Sequence, residues 1–441
     1  AAAGRGRGAH LRPFAALALA LAVAPLASGL VAPGATSGMG RKRALVASTL
    51  GPGRNYGCGL REFIFIMDLR ECGYDVDILT EKQAGGAAAA AEPGELHAAF
   101  GWHTETPAEL FRSVRWFTDP ETIDLEGYTD IFFFGWLWEH RGSRQPQLGL
   151  LPRLEKLGRR MTLMLDDVPT VRCAVEHKRF EAAYCKLIVP QLVAQWAGAA
   201  KRIFTLTDSD TQTMLEVMQR LNVTQPGPVR AWPLRLRRLQ KLQEEEGVSG
   251  LRTIEGRKYL TMTANDHDVN VDFLARLFAA GSISRLCSLN VTLMFVGSIG
   301  GFVNFMRGYY PAVRNDCLLT EGILSDTMLA AYVMPRTRAV LNPFFMDVGS
   351  GISVKSYEAI ALGLPVVTSI YGVRGLEGCG AQNLAIKKET ADDVDEYGAF
   401  LERHVLDPKA YDSMASRFQG LRQQCVSMQE RAFPAHTCAS D

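Results

Sequence analysis

The chain has 441 residues, 47% of them apolar, and sets 48 Lys and Arg against 47 Asp and Glu for a formal charge of +1. That length accommodates two domains with full cores, and the charge balance gives no support to a nucleic-acid partner. The nine cysteines contain no C-x-x-C pair and no His pattern nearby, so neither a zinc site nor a dense disulfide framework is indicated.

The first charges along the chain are all basic, from Arg5 to Arg61, and the first acid is Glu62. Phe14 to Ala32 is uncharged and mostly Ala, Leu and Val, interrupted by Pro25, Ser28 and Gly29, which predicts a signal peptide or short signal anchor within a targeting segment 1–42. This implies entry to the secretory pathway, in the lumen of the ER or Golgi, with an N-terminal membrane anchor as one form of it. An acid-free, Arg-bearing leader also suits a plastid or other organelle. Asn222-Val-Thr224 and Asn290-Val-Thr292 are glycosylation triplets that fit the lumenal reading.

Residues 43–235 read as a Rossmann-like domain. It opens with a strand from Ala44 to Thr49, a Gly-rich turn through Gly59, a helix from Leu60 to Cys72 and a strand from Asp75 to Thr80. As a G-x-G-x-x-G dinucleotide site the turn fails at Tyr56, although Gly51, Gly53 and Glu81 keep an NAD-dependent oxidoreductase as an alternative. An Ala/Gly insert follows from Gln83 to Ala91. Tyr128 to Trp138 reads as a buried strand running into an aromatic turn, and Met161 to Thr170 as a strand that carries Asp166 and Asp167 to its carboxyl edge, where open α/β sheets place ligands. Trp196 to Leu206 predicts a helix end and a strand, with an N-capped helix after Thr207-Asp208-Ser209-Asp210.

A basic run at Arg235, Arg237 and Arg238, followed by Glu244 to Glu246, marks a linker over 236–256. The second Rossmann-like domain, 257–400, opens with a strand from Lys258 to Thr263, a loop holding His267, and a helix that Asn270 would cap. Val291 to Val296, Leu318 to Ile323 and Arg338 to Leu341 are its further strands, with a helix from Leu324 to Tyr332. Residues 401–441 are C-terminal helical text.

The densest local signal is NPFFMDVGSGISVKSYEAIALGLPVVTSIYGVRGL, from Asn342 to Leu376. Gly349, Ser350 and Gly351 form a small-residue turn whose backbone N–H groups can approach a ligand, and a helix opens behind it near Ile352 or Ser353. Gly363 and Pro365 end that helix, Val366 to Thr368 form a strand, and Gly372 with Gly375 a second turn. Lys355 lies in the first helical turn, where its ammonium adds to the helix's positive end. Glu358, three residues on, shares its face and can accept from a ribose diol. A Walker A loop is excluded, because Val354 stands where its second glycine should precede Lys355-Ser356.

The run GSGISVKSYEAIALGLPVV, with the later GVRGL, resembles the donor-binding signature of GT-B glycosyltransferases of retaining family 4. The resemblance spans roughly residues 43 to 430 and implies two Rossmann-like domains facing across a cleft, with a C-terminal helix crossing back. It further implies sugar transfer from a nucleotide-sugar co-substrate, such as a UDP- or GDP-sugar, to a glycan, lipid or protein acceptor, with retention and no metal or other cofactor. Gly349, Ser350, Gly351, Lys355, Glu358 and Gly372 would hold the donor, Lys355 and Asp167 would be catalytic, and Gly57, Gly59 and His267 would line the cleft. The resembled signature carries an additional Glu eight positions before the second one, and here that place is Ser350. A non-catalytic glycosyltransferase-like binding protein, the oxidoreductase above and a phosphorylase using pyridoxal phosphate are the rival classes.

Overall fold

The computed structural model describes residues 42–48, 57–80, 116–117, 119–135, 146–159, 161–170, 173, 184–223, 228–232, 243, 258–266, 268–311, 313, 316–324, 327–342, 352–381 and 394–437. Two parallel sheets organise them. The first contains β1 (Lys42–Ser48), β2 (Tyr74–Thr80), β3 (Trp116–Phe117), β4 (Asp130–Phe134), β5 (Met161–Met164), β6 (Ala200–Thr205) and β7 (Val229–Ala231), in the order β3-β2-β1-β4-β5-β6-β7. The second contains β8 (Tyr259–Thr263), β9 (Thr292–Val296), β10 (Leu318–Glu321), β11 (Thr337–Asn342) and β12 (Val366–Thr368), in the order β10-β9-β8-β11-β12.

The central strands β1, β4, β5, β9 and β11 are mostly buried on both faces, as an all-parallel sheet covered by helices requires, while the edge strands β7 and β10 are partly exposed. β4 is buried along its whole length, and Phe133 meets Trp196 edge-on at 5.3 Å. Trp196 belongs to α3 (Val189–Ala199), which with α1 (Gly57–Glu71), α2 (Pro146–Lys156) and α4 (Asp208–Arg220) accompanies the first sheet. The second sheet carries α5 (Asp268–Ala279), α6 (Ser282–Ser288), α7 (Ile299–Tyr309) and α8 (Val354–Ala361), followed by α9 (Val394–Phe400) and the long α10 (Pro408–Thr437). One apolar core runs between the sheets, from Phe65 and Trp232 to Ile352, Val373 and Leu376.

Gly375 closes that junction. Its φ is +81°, and a Cβ there would lie 2.3 Å from Ile352 and 3.0 Å from the methyl of Thr207. Thr207 accepts from the Asp210 N–H at 2.9 Å and so caps α4, which puts the turn after β12 directly against a helix start of the first sheet.

The structure corrects or adds to the sequence reading at three points. Asn270 is not an N-cap, because α5 already begins at Asp268 and the amide lies inside its first turn. Helices α6 and α7 fall on text that carries no helix expectation: α7 reads IGGFVNFMRGY, with three glycines that argue against a helix, yet Ile299, Val303 and Met306 bury one face and tertiary packing outweighs propensity. The described cysteines are paired, though too sparsely to make a dense framework. Cys173–Cys185, Cys287–Cys317 and Cys379–Cys425 are disulfides with Cα separations of 5.5, 5.5 and 5.0 Å, and Cys72 is disulfide-bonded as well. Their partners stand 12, 30 and 46 residues apart, so the fold and not local spacing brings them together. Among the described residues no helix is long and apolar enough to cross a membrane; Phe14 to Ala32 lies outside them.

Candidate functional site

An open parallel sheet places ligands beyond the carboxyl ends of its strands, at the point where the strand order reverses. In the second sheet that point lies between β8 and β11, and the residues leaving those two strands meet there. Lys355 of α8, reached from β11, donates through Nζ to Oδ1 of Asn270 at 3.0 Å. Asn270 of α5, reached from β8, in turn donates through Nδ2 to the carbonyl and the side-chain oxygen of Asn265, each at 3.0 Å. Lys355 as a whole is half-buried, but its ammonium lies inward, and burial pushes its pKa down to about 8.

The start of α8 is left open in a specific way. Ser353 sits at the N-cap with extended backbone, φ −91° and ψ 95°, but makes no side-chain capping bond. Its hydroxyl instead accepts from Asn342 Nδ2 at 2.7 Å, and the same amide reaches Ser356 Oγ at 2.8 Å. Among the described residues the N–H groups of the first turn therefore lack the usual N-cap side-chain acceptor, and an anion is a natural partner for them. Ser356 donates to the Gly372 carbonyl at 2.5 Å, and Tyr357 donates to the Gly375 carbonyl at 2.6 Å, so the turn after β12 is bound to the body of α8. Gly372 is required there, since a Cβ would fall 1.8 Å from Thr368 Oγ1. Through its carbonyl, Gly372 braces α8 and β11.

Glu358 follows Lys355 by about one turn and is half-buried. Gly349, Ser350, Gly351 and His267 lie outside the described residues, as do Gly51, Gly53 and Glu81. Asn342, Ser356, Asn265 and Asn270 were invisible as site residues in the sequence. The available signal was their position in the segments that end or follow the two strands flanking the reversal.

The first sheet presents a different chemistry at its own carboxyl edge. Arg61 Nε pairs with Asp166 Oδ1 at 2.8 Å in a pair that is 8% and 2% exposed at the side chains. Glu62, 1% exposed, is hydrogen-bonded to Ser48 at the end of β1. Burial pushes the Glu62 carboxyl up to about 8, with the Ser48 bond opposing and Asp166 adding to the rise. Burial also pushes Asp166 up to about 6, against the pull of Arg61 and with a push from Asp167. Glu62 Oε1 and Asp166 Oδ2 are buried with no hydrogen-bond partner among the described residues. Asp167 is the partly exposed member of the acid pair. Gly57 opens α1, and Gly59 is buried within it, close in sequence to Arg61 and Glu62. Among the described residues no group of three His, Cys, Asp or Glu side chains could hold a metal ion.

No protein-family model matches the chain, and no curated protein matches it in sequence. Solved structures do match over most of its length. A sucrose-phosphate synthase from Thermosynechococcus elongatus superposes with a TM-score of 0.58 at 14% identity, covering 90% of this chain and 97% of its own. A trehalose-6-phosphate synthase, studied with bisubstrate glycomimetics for glycosyl transfer with retention, gives 0.58 at 12% identity, covering 89% and 97%. The E. coli trehalose-6-phosphate structure bound with UDP-2-fluoro glucose gives 0.55 at 10% identity, covering 91% and 100%. The chain is an α/β protein of the GT-B fold, with two Rossmann-like domains. At these identities the likeness establishes the fold.

Proposed function

We propose that the protein is a glycosyltransferase that moves a sugar from a nucleotide-sugar donor, such as a UDP- or GDP-sugar, to a glycan, lipid or protein acceptor. The observation that carries this reading is the Lys355–Asn270 bond, which ties together the two strand-end connections flanking the reversal of the second sheet. It sets a cation beside a helix start that has no N-cap side-chain bond among the described residues, which is an arrangement that suits a diphosphate. In this reading Lys355 and the α8 N–H groups take up the charge that develops on the leaving diphosphate, an electrostatic role that needs no metal. Glu358 would accept from the ribose. The acceptor would enter from the carboxyl edge of the first sheet, past Asp167. Retention is supported by the subject of the retaining synthase whose fold this chain shares.

A screen of donor hydrolysis across UDP-, GDP- and ADP-sugars tests the reading. At least one donor should be turned over slowly by the protein alone and faster with an acceptor. Nucleotide binding with hydrolysis of no donor would favour the non-catalytic binding-protein reading that Ser350 suggests, while a lack of both binding and hydrolysis would reject the donor site.

The compartment we favour is the lumen of the secretory pathway, because the disulfides belong to an oxidising environment. Asn222 and Asn290 are exposed, with left-handed φ of 53° and 57° at the ends of α4 and α6, where a glycan meets no neighbouring core. Glycosidase treatment of the protein from its own cells should increase its gel mobility. Unchanged mobility with free thiols at Cys287 and Cys317 would reject the lumenal assignment.

A further inference from the structure

We propose that Asn270 is the positioning residue that fixes the Lys355 ammonium against the leaving diphosphate, an inference that rests on the glycosyl-transfer reading above. The amide's orientation is determined by its own surroundings. Nδ2 faces two acceptors on Asn265 at 3.0 Å, so Oδ1 must face Lys355; the flipped amide would set its N–H groups against an ammonium and its oxygen against a carbonyl. Asn270 is 6% exposed, which leaves it little freedom to turn.

The choice of an amide has a chemical consequence. A lysine side chain loses much rotamer entropy when held, and a neutral acceptor holds it without cancelling its charge. A carboxylate at the same place would hold the ammonium more tightly and neutralise the charge that a diphosphate must meet. Two acids on the α5 side already have partners of their own. Asp266 accepts from Ser298 Oγ at 2.9 Å, Asp272 pairs with Arg276 at 2.8 Å, Glu358 follows on α8, and Arg374 lies in the turn after β12. Among the described residues Asn270 is the hydrogen-bond partner found for Lys355 Nζ, and it comes from the other strand connection. The bond therefore couples the two halves of the site.

The test compares wild type with Asn270→Ala and Asn270→Asp, using competitive acetylation of Lys355 across pH, read by mass spectrometry, beside steady-state kinetics. Losing the acceptor should lower the acetylation midpoint of Lys355 in Asn270→Ala, and the carboxylate should raise it by about one unit or more in Asn270→Asp. In Asn270→Ala kcat should fall about tenfold with a smaller change in KM, since the loss is one of orientation. Asn270→Asp keeps the anchor and the shape of the side chain, so it should stay folded by thermal melting and bind nucleoside diphosphate more weakly than wild type. Three identical midpoints with unchanged kcat would overturn the proposal. Shifted midpoints in a protein that binds no nucleoside diphosphate would overturn the diphosphate reading and leave the anchor standing.

Discussion

Replacing Lys355 with alanine should lower kcat/KM for the donor by about ten- to a hundredfold. A charge-assisted hydrogen bond contributes roughly 1.5–3 kcal/mol, and about 1.4 kcal/mol of lost transition-state stabilisation is a factor of ten. The pH dependence separates this from a general loss of structure. Burial holds the Lys355 pKa at about 8, below its ordinary 10.5, so the free enzyme carries the required charge below about pH 8 and loses it above. Wild-type kcat/KM should therefore decline as pH rises through about 8, and the residual activity of Lys355→Ala should lack that decline. The same depressed pKa has a sign for stability. Keeping a buried ammonium charged costs the folded state below about pH 8, so Lys355→Met should melt no lower than wild type at about pH 7. An unaltered alkaline limb in Lys355→Ala would remove the lysine from the chemistry.

The second large effect belongs to the first sheet. Glu62 is pushed up to about 8 from an ordinary 4.5, so the folded chain holds a proton that the unfolded chain releases. The stability this contributes is full below about pH 4.5 and is lost as pH rises through about 8. A shift of that size corresponds to on the order of 3–5 kcal/mol, at about 1.4 kcal/mol per unit. Asp166, raised to about 6, acts in the same direction over a lower window. Chemical denaturation of wild type should show stability falling between about pH 5 and about pH 8, and Glu62→Gln, which keeps the shape and the neutral state, should remove most of the fall. Parallel curves for the two proteins would mean that Glu62 ionises freely in the fold, through a hydrogen-bonding environment other than the one described.

Lys355 is legible in the sequence because glycine turn, helix start and lysine are adjacent in the chain, and the helix stop at Gly363 shows the left-handed φ, +71°, that its position predicts. The strands are legible because buried parallel strands are continuous apolar runs; β12 falls on Val366–Thr368 as expected. Asn270 could not be assigned, since its partners are 5 and 85 residues away and only the sheet order brings them together. Arg61 and Glu62 look like the polar turn of an amphipathic helix. In the fold α1 is covered almost all round, so both charges are buried and their chemistry follows from that burial. The cysteines escaped local reading for the same reason as Asn270. Local patterns wrote the elements, and the contacts between elements wrote the site.

If the protein is a glycosyltransferase of the kind proposed, the reversal point of its second sheet must bind a nucleoside diphosphate. Calorimetric titration of UDP, GDP and ADP into wild type and Lys355→Ala measures this directly. At least one of the three should bind wild type with one-to-one stoichiometry, and the variant should bind that nucleotide at least about tenfold more weakly, consistent with the loss of one charge-assisted contact. Absence of binding by all three, or equal affinity for wild type and variant, would contradict it.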